Sequence, residues 1–305
     1  MQHHCALEDI NLEHAWLTIG VYDGVHRGHQ EILHRLTEGA HAAGSSAVVL
    51  TFDPHPAVVL SGREIKLLTT PVERAEILEK LGLDALVTVA FSAELSQVSA
   101  LEFMSRLKSR TGLDQLLIGY DFALGKGREG NAARLTEIGR ELDYQVQIIA
   151  AVSDESGVIS STEIRKLVST GDVAEAARLL GHLYSLRGKV VHGDGRGHRI
   201  NIPTANMDYP HNKVIPANGI YACWAFLGDD KFKALVNIGI NPTFTPDKQT
   251  PNVEAHLLDF DRKIYGQVLR LDFVERLRDE KKFDSVDALI EQIHQDIERG
   301  RKILA

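Results

Sequence analysis

The sequence predicts an α/β plus β chain. A doubly wound, Rossmann-like domain spans residues 1–183, and a small antiparallel β-barrel with a terminal helix spans 184–305. Through the first half, short apolar runs rich in Val, Ile and Leu alternate with helix signals. Near Gly181–Gly188 the pattern changes to alternating strands divided by polar turns. The last segment repeats apolar residues at helical spacing.

The runs Ala15–Tyr22, Ser46–Phe52, Ala85–Phe91, Gln115–Gly119 and Tyr144–Ala151 read as buried strands of a parallel sheet. Thr70-Pro71-Val72-Glu73 is a capping box with Pro at the first helical position, and Gly82 marks the stop. Ser99 to Glu102 forms a second capping box, closed by Gly112, and Asp172 to Glu175 starts a further helix. Strand and helix in strict alternation imply right-handed βαβ units. The barrel strands are expected at Leu186–His192, Gly219–Leu227, Phe232–Ile238, Asn252–Asp259 and Val268–Glu275. A final helix is expected from about Ser285 to Ile303, its stripe of Val286, Leu289, Ile290, Ile293 and Ile297 read as core packing.

A chain of 305 residues is comfortable for two domains. Its 44% hydrophobic and 25% charged residues suit a globular protein in water. No apolar stretch reaches the roughly 18 residues that span a bilayer. The N-terminus lacks a charged region followed by an apolar run, so no secretory signal is expected. Only Cys5 and Cys223 are present, which predicts no disulfide framework and a cytoplasmic setting. The net charge of −8 argues against nucleic acid as a partner, because phosphate backbones demand clustered Lys and Arg. It leaves open a small phosphate held by a few N–H groups. Nothing in the sequence bears on oligomeric state.

The first strand runs into Gly20-Val21-Tyr22-Asp23-Gly24-Val25-His26-Arg27-Gly28-His29, and a helix follows. Glycines here permit a sharp turn and close backbone approach. Helix-start N–H groups favour an anion, and His26 and His29, three apart, can donate to one phosphate. A Gly-rich turn with two solvated histidines is the plainer alternative. No Walker loop or HExxH occurs. Ligands of doubly wound sheets sit beyond the carboxyl ends of the strands. That rim also receives Thr51-Phe52-Asp53-Pro54-His55-Pro56 and Gly119-Tyr120-Asp121, followed by Lys126 and Arg128. In Ile159-Ser160-Ser161-Thr162-Glu163-Ile164-Arg165, capping-box spacing places hydroxyls, N–H groups and Arg165 at one helix start, which suits a triphosphate.

In the second half, the loop Gly193-Asp194-Gly195-Arg196-Gly197-His198 can wrap phosphates through backbone N–H groups. It does not lead into a helix and is no dinucleotide fingerprint. Thr204 and Asn206, two apart in Pro203-Thr204-Ala205-Asn206, face one side of an extended chain. Their neutral oxygens suit Mg2+ shared with nucleotide phosphates. Taken alone, this tetrapeptide reads as a turn. Glu254 and His256 share one face of an alternating strand, and Glu254 is a candidate general base. Spacing is equally compatible with a solvated strand residue.

The HxGH turn, the SSTxIR segment and the doubly wound order resemble the nucleotidylyltransferase superfamily. More narrowly, GVYDGVHRGHQ, TFDPHP, GYDFALGKGREGN and ISSTEIR resemble the N-terminal module of bacterial bifunctional riboflavin kinase/FAD synthetases. PTAN, NIGINPTF, VEAHLLDFD, IYGQ and LRDEKKF resemble their riboflavin kinase module, so the similarity covers nearly the whole chain. The resemblance implies an FMN adenylyltransferase (FAD synthetase) domain over 1–183 and a riboflavin kinase domain over 184–305. Its expected ligands are riboflavin, FMN, FAD and ATP with Mg2+. By the same likeness Thr204 and Asn206 hold the metal, Glu254 is the base and Arg278 lies near the flavin. His26, His29, Ser161, Thr162 and Arg165 stabilise triphosphate charge, and Gly20, Asp23, His55 and Asp121 contact nucleotide or flavin. Gly193, Gly195 and Arg196 line the kinase loop. Tyr22, Leu124, His198 and Asn201 depart from the residues usual in the family. Another adenylyl or cytidylyl acceptor, or a non-catalytic flavin-binding regulator, are the alternatives. A retained base speaks against the regulator.

Overall fold

The computed structural model describes residues 1–154, 157–193, 202–239 and 251–305. They form two compact units, Met1–Ile65 with Thr69–Ser161 and Lys66–Leu68 with Thr162–Ala305.

The first unit is built on a six-stranded sheet in the order β1-β4-β3-β2-β5-β8, every neighbour parallel. The strands are β1 (Gln2–His4), β2 (Ala15–Ile19), β3 (Ser46–Asp53), β4 (Ala85–Ala90), β5 (Leu113–Gly119) and β8 (Gln145–Ile149). Two small hairpins, β6 (Ala123–Leu124) with β7 (Gly130–Asn131) and β9 (Ser153–Asp154) with β10 (Gly157–Val158), decorate it.

Alternate strand residues point to opposite faces and feed two cores. Leu17, Leu50, Val87 and Leu116 pack with Met104 and Leu107 of α4 (Ala100–Thr111) and Leu135 and Ile138 of α5 (Ala132–Leu142). Val49, Leu86 and Leu117 pack with Leu33 and Leu36 of α1 (Arg27–Ala42) and Leu78 of α3 (Pro71–Lys80). The sheet is therefore covered on both faces, as the near-continuous apolar strands require. A short α2 (Pro56–Ser61) follows β3. Winding starts at β2, runs out through β3 and β4, then returns to β5. The switch point lies between β2 and β5, where open α/β sheets place their ligands.

The helix ends follow the expected signals. Thr70 and Glu73 form the capping box of α3, Ser99 caps α4, and Gly112 ends α4 in the left-handed region. A Cβ on Gly112 would lie 1.8 Å from Glu13 O, so only glycine fits that close approach.

The second unit carries α6 (Ser161–Thr170, whose first residue closes the first unit), α7 (Val173–Leu180) and a closed six-stranded barrel. The barrel order is β11 (Tyr184–Val191), β12 (Ala205–Asp208), β15 (Asn252–Leu257), β14 (Asp230–Gly239), β13 (Gly219–Leu227) and β16 (Val268–Arg278). All its pairs are antiparallel. Alternate residues such as Leu186, Tyr221, Val236, Val253 and Phe273 are fully or almost fully buried. Helix α8 (Val286–Ile303) starts at its Ser285 cap, as expected. Cys5 and Cys223 are free thiols, and burial pushes the Cys223 thiol well above the usual range.

One structural expectation needs correction. The apolar stripe of α8 is not wholly core. Ile297 packs against Ala222, Leu235 and Leu277, but Val286, Leu289 and Ile293 line a cavity. A 3.6-residue period reports one apolar face and is blind to what covers it. Asn206 lies in strand β12.

Candidate functional site

The turn after β2 is held from beneath by polar groups. Tyr22 and Val25 take positive φ values of 53° and 40°. Tyr22 Oη meets Thr18 Oγ1 at 2.6 Å, and Thr18 Oγ1 donates to Leu117 O at 2.7 Å. Asp23 is 2% exposed and turns inward, accepting from Thr69 N at 2.9 Å and Thr69 Oγ1 at 3.2 Å. Arg74 of α3 is also buried, and its Nη1 donates to Val21 O at 2.9 Å. Burial lowers its guanidinium pKa, a shift opposed by Asp23 and Asp53. The sequence reading missed Arg74. Its signal was a cation four residues before Leu78, on the core face of an amphipathic helix.

His26 is the N-cap of α1. Its Nδ1 accepts from His29 N at 3.4 Å, and the rings stack with centroids 3.6 Å apart. The pair is thus a built feature, with His26 itself buried. His29 Nδ1 is covered and has no hydrogen-bond partner among the described residues. Burial first, then His26 and Arg74, hold the His29 imidazole well below the usual histidine range. The ring is therefore neutral at pH 7.

This has a consequence for stability. The unfolded chain protonates His29 near pH 6.5 while the folded one does not, so stability falls as pH drops below that value. The limiting slope is about 1.4 kcal/mol per pH unit. Thermal melts between pH 7.5 and 5.5 should show a Tm decline that is smaller in His29→Gln.

Ser161, the last residue of the first unit, donates from Oγ to Asp23 O of the β2–α1 turn at 2.9 Å. His55 caps α2, its Nδ1 accepting from Ala57 N at 3.1 Å. Asp121 follows β5 at the switch point, and its Oδ1 would lie 3.5 Å from a Cβ on Gly119. Gly20 donates its N–H to Leu50 O at 3.0 Å. Thr162 and Arg165 stand on α6, and Arg165 lines a cavity of about 510 Å³ with Lys66, Lys166, His211 and Lys213.

In the barrel, Thr204 Oγ1 donates to Glu254 Oε2 at 3.3 Å. Asn252 Nδ2 bridges Glu254 Oε1 at 2.6 Å and Asn206 Oδ1 at 3.2 Å. The antiparallel register puts Asn206 directly opposite Glu254. Gly193 passes so close that a Cβ there would meet Asn206 Nδ2 at 2.1 Å. The structure therefore gathers Thr204, Asn206 and Glu254, and adds Asn252, which the sequence reading missed. Gly195, Arg196, His198 and Asn201 lie outside the described residues.

Two cavities meet at Thr204. One of about 370 Å³ has an apolar wall that includes Ile202, Leu289 and Ile293, and its lining also carries the carboxylates Glu254, Glu280 and Asp296. The other, about 480 Å³, carries Arg262, Lys263 and Tyr265. One face is suited to a flat apolar acceptor and the other to an anionic donor. Among the described residues no group of three or more His, Cys, Asp or Glu side chains gathers as a metal site. Arg278 lines the apolar cavity, but its Nε and Nη2 bind Asp296 of α8.

Comparison with known proteins agrees with both halves. A family model described as FAD synthetase matches residues 9–163, and one described as riboflavin kinase matches residues 180–304. A bifunctional riboflavin kinase/FMN adenylyltransferase of Listeria monocytogenes is 35% identical over 95% of this chain and 92% of its own length. The Bacillus subtilis protein of the same description is 33% identical over 92% of this chain and 89% of its own. A solved structure described as a macrolide-efflux protein from Streptococcus pneumoniae is 32% identical, covers 98% of each chain and superposes with a TM-score of 0.90. Among the described residues no helix is long and apolar enough to cross a membrane.

Proposed function

The chain belongs to the bacterial bifunctional riboflavin kinase/FMN adenylyltransferase family, and on that premise we propose which of its residues carry each activity. It phosphorylates riboflavin to FMN with ATP, then transfers the adenylyl group of a second ATP to FMN, giving FAD and pyrophosphate. We assign kinase chemistry to 184–305 and adenylyl transfer to 1–183.

For the kinase, the carrying observation is the 3.3 Å contact between Thr204 Oγ1 and Glu254 Oε2 where the apolar and cationic cavities meet. Riboflavin's ring occupies the apolar cavity, with Leu289 and Ile293 of α8 as one wall. Its terminal ribityl hydroxyl gives its proton to Glu254 as the oxygen attacks the γ-phosphorus of ATP, and ADP leaves. Arg262 and Lys263 hold the anionic donor on the other side. Thr204 and Asn206 offer hard, neutral oxygens that fit Mg2+ shared with phosphates. When bound there, the ion neutralises phosphate charge. Gly193 borders this site beside Asn206, and the phosphate-binding role is assigned to it with Gly195 and Arg196 from the family's glycine-rich loop.

For adenylyl transfer, the FMN phosphate is already an anion and attacks the α-phosphorus of ATP without a general base. Catalysis comes from alignment and from donors that stabilise charge on the phosphates. We assign that work to His26, His29, Ser161, Thr162 and Arg165. The unsatisfied Nδ1 of His29 supports the assignment, because a buried polar atom without a partner is one a ligand oxygen can complete. Gly20, His55 and Asp121 lie on nucleotide or flavin, with Asp23 bracing the turn. The setting is the cytoplasm.

Chromatography of products from riboflavin, ATP and Mg2+ should give FMN first and FAD later. A Leu289→Arg variant should raise the KM for riboflavin at least about tenfold, since filling an apolar cavity with a charge opposes burial of the ring. An unchanged KM would remove the ring from this cavity.

A further inference from the structure

Helix α8 is anchored along its C-terminal half. Arg301 Nη1 and Nη2 each reach a carboxylate oxygen of Asp259 at 2.7 Å. Arg299 donates to Leu277 O and Glu275 Oε1, both at 2.8 Å. At Gly300 the helix lies so close to the barrel that a Cβ would stand 2.5 Å from Leu235 Cδ2. The N-terminal half instead turns Leu289 and Ile293 to the apolar cavity and leaves Val286 58% exposed.

Asp296 sits between these halves and is only 6% exposed. Its Oδ2 accepts from Arg278 Nε at 3.0 Å and Nη2 at 2.7 Å, and its Oδ1 accepts from Gln292 Nε2 at 3.1 Å. Arg278 Nη1 donates to Asp279 O at 2.8 Å, and the guanidinium lies 5.9 Å from the Phe283 ring centre. Arg278, Phe283 and Asp296 all line the cavity that holds Glu254. The pair thus links the end of β16, the residues after it and α8.

We infer that Asp296 is a positioning residue for riboflavin phosphorylation: through Arg278 it holds the α8 wall in its binding geometry before riboflavin arrives. The inference rests on reading this cavity as the acceptor site. Apolar residues of the same volume can hold a helix to a barrel as well as a buried ion pair does, so anchoring alone does not require the charges. What a guanidinium fixed by a planar carboxylate adds is direction. A wall set in advance spares riboflavin the ordering that binding otherwise demands. That advantage is the same for substrate and transition state, so it enters KM and leaves kcat alone.

Asp296→Asn keeps the shape and removes the charge. In the full-length protein, the KM for riboflavin should rise about tenfold, the scale expected for losing charge-assisted hydrogen bonds. Turnover should stay within about twofold, and adenylylation of supplied FMN should not change. Gln292→Ala removes only the supporting bond and should move KM the same way by less. It decides the matter if Asp296→Asn is insoluble. A wild-type riboflavin KM in the variant tested, or equal losses in kcat and kcat/KM, overturns the inference. Leu289→Arg separates the two layers. If it raises KM while Asp296→Asn does not, only the positioning role fails. If Leu289→Arg itself leaves KM untouched, the acceptor-site reading fails.

Discussion

Glu254→Gln is expected to lower riboflavin kinase turnover by roughly 10²–10⁴-fold, the range for removing a positioned general base. The glutamine keeps the side-chain shape and can still accept from Thr204 Oγ1, so the gathering at β12 and β15 survives. Its Oε1 partner is Asn252 Nδ2, a donor, so the amide oxygen can keep that bond instead. Either way the site loses a proton acceptor and little else. The KM for riboflavin should therefore move far less than kcat, as for an interaction made mainly in the transition state. FAD formation from supplied FMN should be untouched. Turnover at the wild-type rate would dismiss Glu254 as the base. A fall in both activities together would point to a folding defect, which a thermal melt detects.

Much of this arrangement is legible in the sequence. The Thr70 and Ser99 caps, the Gly112 stop and the Ser285 start of α8 are local chemistry, written within four residues of where they act. Apolar runs marked the central strands because parallel strands are buried on both faces. Edge strand β1 was not seen. Gln2–His4 is short, polar and paired on one side only, so it carries no apolar run. The kinase triplet was half legible. Thr204 and Asn206 announce a common side by their spacing, whereas their meeting with Glu254 depends on a register fifty residues away. Asn252 and Asp296 were invisible for a related reason. Each acts through a partner that sequence places elsewhere, Asn206 for one and Arg278 for the other. The α8 stripe misled because a cavity wall and a core face have the same period.

The first site yields the second large effect. His29→Ala should reduce FAD synthesis by roughly 10²–10³-fold, the loss seen when one preorganised donor to a developing oxyanion is removed. FMN formation should continue at its normal rate. The His29 ring is stacked on His26, meets Tyr22 edge-on at 4.9 Å and keeps Nδ1 covered. It is therefore preorganised, and being neutral it acts as a hydrogen-bond donor rather than a cation. Because neutrality is already complete at pH 7, adenylyl transfer should show no His29 titration between pH 7 and 8. His29→Asn offers a shorter donor and should recover part of the rate, whereas a simple packing role would leave Asn no better than Ala. Stopped-time assays that separate FMN from FAD in one reaction measure both halves at once. Parallel loss of the two products in His29→Ala would mean that the histidine supports the whole chain rather than one reaction, and undiminished FAD would remove it from catalysis altogether.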